Sequence, residues 1–398
     1  MKEIRGFFEL TGLSLLPMLV LLLALMAPLR GGEGESAPTA SAAPVLPAEE
    51  AAARTPVLPA RAPTPEELLP PTPGLDLSAL AGSGTAAAAP ELSAEEETIP
   101  VSAPASPDRS LTVTILMAGA KAEMSLRDYL VGVVAAEMPA SFEQEALAAQ
   151  AVAARTDTLY RRLVARPHRE ADCCADPGCC KAYLSPEELR ERWGEDYDRW
   201  LDCIARAVDE TDGEVLTWEG EPIFAAFHAA SQGRTEDSEN VWIAALPYLR
   251  SVPTLETASE VPGFQRTAEF SPEEFRDRVL ARYPEADLSG SPEGWIGSEE
   301  RSGGGRLVSL RIGGVLLSGT ELRTLLGLRS AQVRWSLEEG AFRFVTQGYG
   351  HGVGLSQYGA EVMARGGASW EEILLHYYTG AELEKMTSLS GLEDVFSA

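Results

Sequence analysis

The chain has 398 residues, 45% of them hydrophobic and 23% charged, enough for two or more domains of ordinary size if all of it folds. Its 33 Lys and Arg stand against 60 Asp and Glu, for a net charge of -27. That balance argues against a nucleic-acid partner, because phosphate binding relies on clustered basic residues and no basic stripe interrupts the sequence; the acidity favours solubility and says little about fold.

Residues 10–29 form an uncharged, Leu-rich run of roughly the 20 residues that span a bilayer as a helix, preceded by Lys2 and Arg5 and followed by Arg30. We expect residues 1–30 to be a single-pass membrane anchor with the body outside the cytoplasm. A cleaved signal peptide is the competing reading, weakened by the length of the run and the lack of a clear A-x-A site. Residues 31–108 are dominated by Ala, Pro, Ser, Thr and Glu and contain no aromatic residue, which predicts a disordered linker. All the Cys and His residues lie beyond it, so residues 109–390 are the expected catalytic domain.

Within this body, residues 111–117 alternate as a β-prone strand. A helix is predicted from Ser125, with Asp128 completing a capping pair, and its period sets Leu126, Leu130, Val133, Val134 and Glu137 on one face. A second, Ala-rich helix is expected to start from a Ser141/Gln144 capping box and to run to about residue 163. Ser185, Pro186 and Glu188 announce a third. Beyond Gly213 the pattern shifts to short strands at 214–218, 223–228, 307–312, 315–317 and 341–346, with helices at 271–281, 320–326, 357–365 and 369–378. The expected class is α+β, with helices grouped beside a mostly antiparallel sheet.

Four segments carry the chemistry. Glu137, in Val-Val-Ala-Ala-Glu-Met-Pro, is a carboxylate on an apolar face at the negative end of a helix dipole. Both surroundings favour the protonated form and suit a general acid. An exposed position at a frayed helix end, or a pairing with a nearby Arg, is the bland alternative. Arg155 sits in a run too small-sided to be an exposed face; it could grip a carboxylate or sugar oxygen, or form a structural ion pair, with Glu137 itself among the candidates. Glycines at 348, 350, 352 and 354 surround His351 and precede Gln357, making a loop that permits positive φ and close ligand approach but lacks the Lys-Ser/Thr of a phosphate loop. His228-Ala-Ala-Ser231 adds polar groups after a strand, yet no G-x-S-x-G elbow supports a serine hydrolase. Finally, His168, Cys174 and Cys180 are spaced six and six on a loop that also holds Cys173 and Cys179; Zn²⁺ and disulfides both remain open readings of it.

Taken together, residues 111–386 resemble the stage II sporulation protein D family, which includes amidase-enhancer proteins. The resemblance rests on Ala-Ala-Glu-Met-Pro around Glu137, the Ala-Gln-Ala-Val-Ala-Ala-Arg-Thr helix, the His-x-x-Ser-x-Gly-x-Thr turn, Trp242 with Pro-Tyr-Leu, and Gly-His-Gly-Val-Gly-Leu-Ser-Gln-Tyr-Gly-Ala, in the family's order. It implies a lytic transglycosylase acting in engulfment on glycan strands whose stem peptides an amidase has removed, giving a 1,6-anhydro product. Glu137 would be the sole acid/base. Arg155, His228, Ser231, Tyr248, His351 and Gln357 would line the sugar cleft, and His168, Cys174 and Cys180 fall on a structural zinc pattern. Peptidoglycan, an amidase and other engulfment membrane proteins are the implied partners. Ala148 replaces a common lysine, Gln232 a usual glycine, and Cys179 a frequent histidine. A non-catalytic glycan-binding enhancer of an amidase is the alternative from another class, and a zinc peptidase is a third.

Overall fold

The sequence from Ser106 onward builds two large hydrophobic clusters and a small third one around Ala230, Val261 and Phe264 in the computed structural model, which describes residues 106–396 apart from 118 and 243. The expected anchor and nearly all of the expected linker lie outside the described residues. Among the described residues no helix is long and apolar enough to cross a membrane.

The first cluster opens with α1 (Pro107–Ser110), the antiparallel hairpin β1 (Thr112–Met117) and β2 (Ala120–Ser125), then α2 (Leu126–Glu137) and α3 (Gln144–Tyr160). β3 (Cys173–Cys174) pairs parallel to β1, and α4 (Pro186–Trp193), α5 (Tyr197–Glu210), β4 (Glu214–Trp218), β5 (Glu221–Pro222) and β6 (Phe227–His228) follow. The chain then leaves to build the second cluster from β7 (Gln265–Phe270), α6 (Pro272–Arg282), β8 (Ile296–Arg301), β9 (Leu307–Ile312), β10 (Val315–Ser318), α7 (Gly319–Leu326), β11 (Val333–Glu338) and β12 (Ala341–Gln347). It returns through β13 (Leu355–Ser356), α8 (Gln357–Arg365), α9 (Trp370–Tyr377), β14 (Glu382–Lys385) and α10 (Glu393–Phe396).

The class is α+β, as expected, but among the described residues the strands form five small sheets rather than one. Most pairings are antiparallel; β1 with β3 and β6 with β13 are parallel. Two local expectations are corrected. Ser141 does not cap the second helix, which starts at Gln144 after Glu143 with no side-chain cap. Residues 223–228 supply strand only at Phe227–His228.

α2 and α3 are the central elements. Ser125 Oγ accepts from the Asp128 N–H at 3.1 Å and starts α2. Pro139 disfavours helical dihedrals at Met138, whose φ of -127° and ψ of 148° are extended. The helix therefore stops with Glu137 as its last residue. α3 is buried from Ala146 to Leu159 on every face, and its alanines let α2, α5, α8, α9 and β4 all pack against it.

Candidate active site

Glu137 is placed by three segments that meet at the end of α2. The first is the helix itself. The second is the stretch after the cysteine loop, where the Ala182 N–H donates to Glu137 Oε1 at 3.0 Å. That stretch lies directly on α2 because residue 132 is glycine: a Cβ there would overlap the Tyr183 ring, and the Leu184 N–H reaches the Gly132 carbonyl at 3.2 Å. The third is the start of α8, from which Gln357 hydrogen-bonds the Glu137 carboxylate and also donates to Gln150 Oε1 at 3.3 Å. Gln150 is fully buried and its own Nε2 has no protein partner, which leaves a donor beside this pair.

Glu137 as a residue keeps some accessible surface while its carboxyl group is enclosed by protein. Burial pushes the acid up to about 7, against the opposing pull of the Ala182 N–H, the Lys181 ammonium and the Gln357 amide. Lys181 is itself buried and held by Asp157, 2.5 Å from Nζ, which also receives Arg161 Nε at 2.8 Å. The second carboxylate in the neighbourhood is thus neutralised by two cations.

The glycine-rich loop enters from β12 and is locked between β6 and the second cluster. Gly354 has φ +71°, and a Cβ there would overlap the Ala226 carbonyl oxygen, so only glycine lets β13 close on β6. Val353 then joins two imidazoles. Its N–H donates to His351 Nδ1 at 3.1 Å, and its carbonyl lies 3.2 Å from His228 Nδ1. A carbonyl only accepts, so His228 carries its proton on Nδ1 and receives the Ser231 hydroxyl on Nε2, 2.6 Å away. His351 is the opposite tautomer, with Nε2 turned to the Phe227 carbonyl. Both rings are held neutral: burial, helped by nearby arginines, pulls His351 down to about 3 and His228 well below the usual histidine range. The His351 ring lies 5.6 Å from His228 and 5.1 Å from Trp242, which continues to Phe224 at 5.3 Å and Tyr160 at 5.7 Å. Beyond the buried His228, the rings of His351, Trp242, Phe224 and Tyr160 form a half-exposed row of the kind that stacks on sugars.

Of the residues expected at the cleft, Gln357 joins Glu137, and His228, Ser231 and His351 come together on the glycine loop. Ser231 is fully buried, its hydroxyl engaged by His228 and its N–H by Glu256 Oε1 at 2.7 Å. Tyr248 stands apart; its hydroxyl accepts from the Phe224 N–H at 3.3 Å, and the residue lines an open cavity of about 320 Å³ shared with Tyr160, Trp218, Glu219 and Glu221. Glu137 does not line that cavity.

Arg155 is elsewhere. Its guanidinium is fully buried and bonds Asp108 (Nε to Oδ1 2.8 Å, Nη2 to Oδ2 2.5 Å) and the carbonyls of Val208 and Glu214 at 3.2 and 3.1 Å. It meets neither open surface nor Glu137, and the expectation that it lines the cleft is corrected to a structural ion pair that ties α1 to α3 and α5. Sequence reasoning could not choose Asp108, which falls at the end of the expected linker.

The cysteine loop forms a donor cluster. His168, Cys174, Cys179 and Cys180 each offer one ligand atom, all within 4.8 Å of one another, and all five cysteines of the chain are free thiols. Cys174 belongs to the cluster, while Cys173 packs in the hydrophobic core with its thiol hydrogen-bonded to Cys180. Three thiols and an imidazole fit a closed tetrahedral site for a soft divalent ion. Cys179 joins the three residues expected from spacing, and the disulfide reading is not realised.

Sequence reasoning missed Lys181, Asp157 and Ala182. Lys181 follows Cys180 directly and could have been noticed; the Ala182 contribution is a backbone N–H and leaves no side-chain signal.

Residues 118–218 match a family model described as Stage II sporulation protein. The chain is 39% identical to the Stage II sporulation protein D of Bacillus amyloliquefaciens, over 66% of this chain and 75% of that protein. It is 36% identical to the Stage II sporulation protein D of Bacillus subtilis (strain 168), over 65% and 74%. Similarity extends to the Amidase enhancer of Bacillus subtilis (strain 168), at 28% identity over 64% of this chain and 40% of that one. With Glu137 inside the matched family model and identity of 36–39% over about three quarters of the two sporulation proteins, the chain belongs to the stage II sporulation protein D family.

Proposed function

We propose that the protein is a lytic transglycosylase that cuts peptidoglycan strands between N-acetylmuramic acid and N-acetylglucosamine, with Glu137 as its single acid/base. The observation that carries this reading is the enclosed Glu137 carboxyl, raised to about 7 and therefore substantially protonated at neutral pH.

In the first half of the reaction, Glu137 gives its proton to the glycosidic oxygen as the muramoyl C1–O bond breaks, releasing the N-acetylglucosamine 4-hydroxyl. The carboxylate left behind is stabilised by the Ala182 N–H and the Lys181 ammonium. It then takes the proton of the muramoyl C6 hydroxyl as O6 bonds to C1. This closes the 1,6-anhydro ring and restores the acid, with no water consumed. A two-carboxylate scheme is less suited, because Asp157 is held by Lys181 and Arg161. His168, Cys174, Cys179 and Cys180 would hold a zinc ion whose four protein ligands leave it a structural role. In this reading the body works outside the cytoplasm during engulfment, tethered by the N-terminal apolar run, on strands that an amidase has stripped of peptides.

The direct test is to incubate the purified protein with peptide-free glycan and search by mass spectrometry for 1,6-anhydro ends. They are expected from the wild type and absent from Glu137→Gln. Failure of the wild type to produce them would sink the reading. The similarity to an amidase enhancer keeps one alternative, a glycan-binding module that stimulates an amidase without cutting. Undiminished stimulation by Glu137→Gln, with no cleavage by either form, would favour it.

A further inference from the structure

In a chain of net charge -27, four arginines from separate segments of the chain gather at the glycine loop. Arg266, Arg323 and Arg329 act on Tyr349, and Arg323 and Arg306 act on His351. Arg306 is 4% exposed and packs so closely under the loop that a Cβ on Gly352 would overlap its guanidinium. Its bonds go to neutral oxygens, Gly350 O and Ser231 Oγ, both at 3.4 Å. Arg323 Nε donates to the Leu328 carbonyl at 3.2 Å. Neither guanidinium is ion-paired among the described residues. Burial accordingly pulls Arg306 down to about 10 and lowers Arg323 too.

Both arginines line a slot beside His351, Gly350, Asn240 and Glu236. It leaves about 10 Å³ to a water-sized group and opens to solvent. That geometry takes one oxygen-sized group at the base with room for a larger body outside. Glu236, the carboxylate on the wall, is already bonded by the Asp237 N–H at 3.0 Å, Asn240 Nδ2 at 2.8 Å and Ser302 Oγ at 2.5 Å. Two guanidiniums against one carboxylate, beside two neutral imidazoles, leave one positive charge in excess in a partly desolvated enclosure. Such a charge is costly until an anion meets it.

We infer that this slot binds a single carboxylate of the substrate, held by the guanidiniums of Arg306 and Arg323. The inference rests on the glycan-cleaving reading above. On a strand without stem peptides the carboxylate is the lactyl group of muramic acid, freed when the lactyl amide is hydrolysed. A strand that still carries its peptide presents a neutral, bulky amide there, so the slot selects stripped strands by charge as well as by size.

The test measures binding by calorimetry on full-length protein carrying Glu137→Gln to block turnover. Three oligosaccharides of equal length serve as probes: a muramic acid-containing strand with free lactyl carboxylates, the same strand with those groups converted to methylamides, and a chito-oligosaccharide without lactyl groups. The free acid should bind at least about tenfold more tightly than either neutral probe, the scale of one charge-assisted contact. Adding Arg323→Gln should erase that preference with the melting temperature retained, and Arg323→Lys should recover part of it. Equal binding of acid and methylamide, or a preference that survives Arg323→Gln, overturns the slot while leaving glycan cleavage intact. Absence of binding to all three probes, with no cleavage by the wild type, overturns both.

Discussion

Replacing Glu137 by glutamine should stabilise the fold at neutral pH while abolishing activity. The folded chain holds the proton on Glu137 up to about pH 7, whereas an unfolded glutamate releases it near 4.5. Between those values the folded state binds more protons, so this group's contribution to stability falls as pH rises through the window and levels off above it. At about 1.4 kcal/mol for each tenfold change in the proton equilibrium, the full difference approaches about 3 kcal/mol, an upper bound because the residue retains some contact with solvent. Glutamine mimics the protonated acid and titrates nowhere in this range. Lys181, Asp157 and Tyr349, which face the carboxyl, are common to both proteins and cancel in the comparison. Denaturant unfolding followed by tryptophan fluorescence should therefore show a variant-minus-wild-type difference near zero at pH 4, growing to about 2–3 kcal/mol by pH 8. A difference that is flat with pH, or a variant less stable than wild type at pH 8, would refute the argument that burial holds the proton in place.

Removing one partner of the Arg155–Asp108 pair by Asp108→Asn strands a buried guanidinium and should cost about 3–5 kcal/mol in the same unfolding assay. The pH profile of any residual glycan cleavage should be unaltered, because Arg155 lies away from Glu137. Gly354→Ala combines left-handed strain with an overlap against the Ala226 carbonyl, for a loss of about 2–5 kcal/mol; a stability change under 1 kcal/mol would mean β13 and β6 separate freely. Metal analysis should find Cys174→Ala and Cys179→Ala depleted relative to wild type, since both thiols belong to the donor cluster.

Much of the acid's setting was legible in the sequence. Helical spacing puts Glu137 in register with apolar residues, and Pro139 two positions on fixes the helix end, both of which are local effects. The loop glycines were equally readable because positive φ is a backbone requirement carried by residue type. What stayed hidden depends on distant pairing. Asp108 and Arg155 meet across 47 residues, and the arginines around Tyr349 come from separate elements of the second cluster, so no basic stripe appears in the chain. β7 and β8 escaped because much of each strand is polar and exposed, without the apolar alternation of a half-buried strand, whereas β2, β11 and the amphipathic α5 carry apolar residues at strand or helix period and were legible in principle.

Cys180, Lys181 and Ala182 are consecutive, yet they face three different ways: the thiol into the donor cluster, the ammonium onto Asp157, and the peptide N–H onto Glu137. Such a triplet is a ruler with one graduation per residue. The insertion or deletion of a single residue within it would move every mark at once and leave the acid set against the wrong neighbours. The spacing from the last cysteine to the backbone donor is therefore a constraint on this family member in its own right, beside the identity of the residues that occupy it.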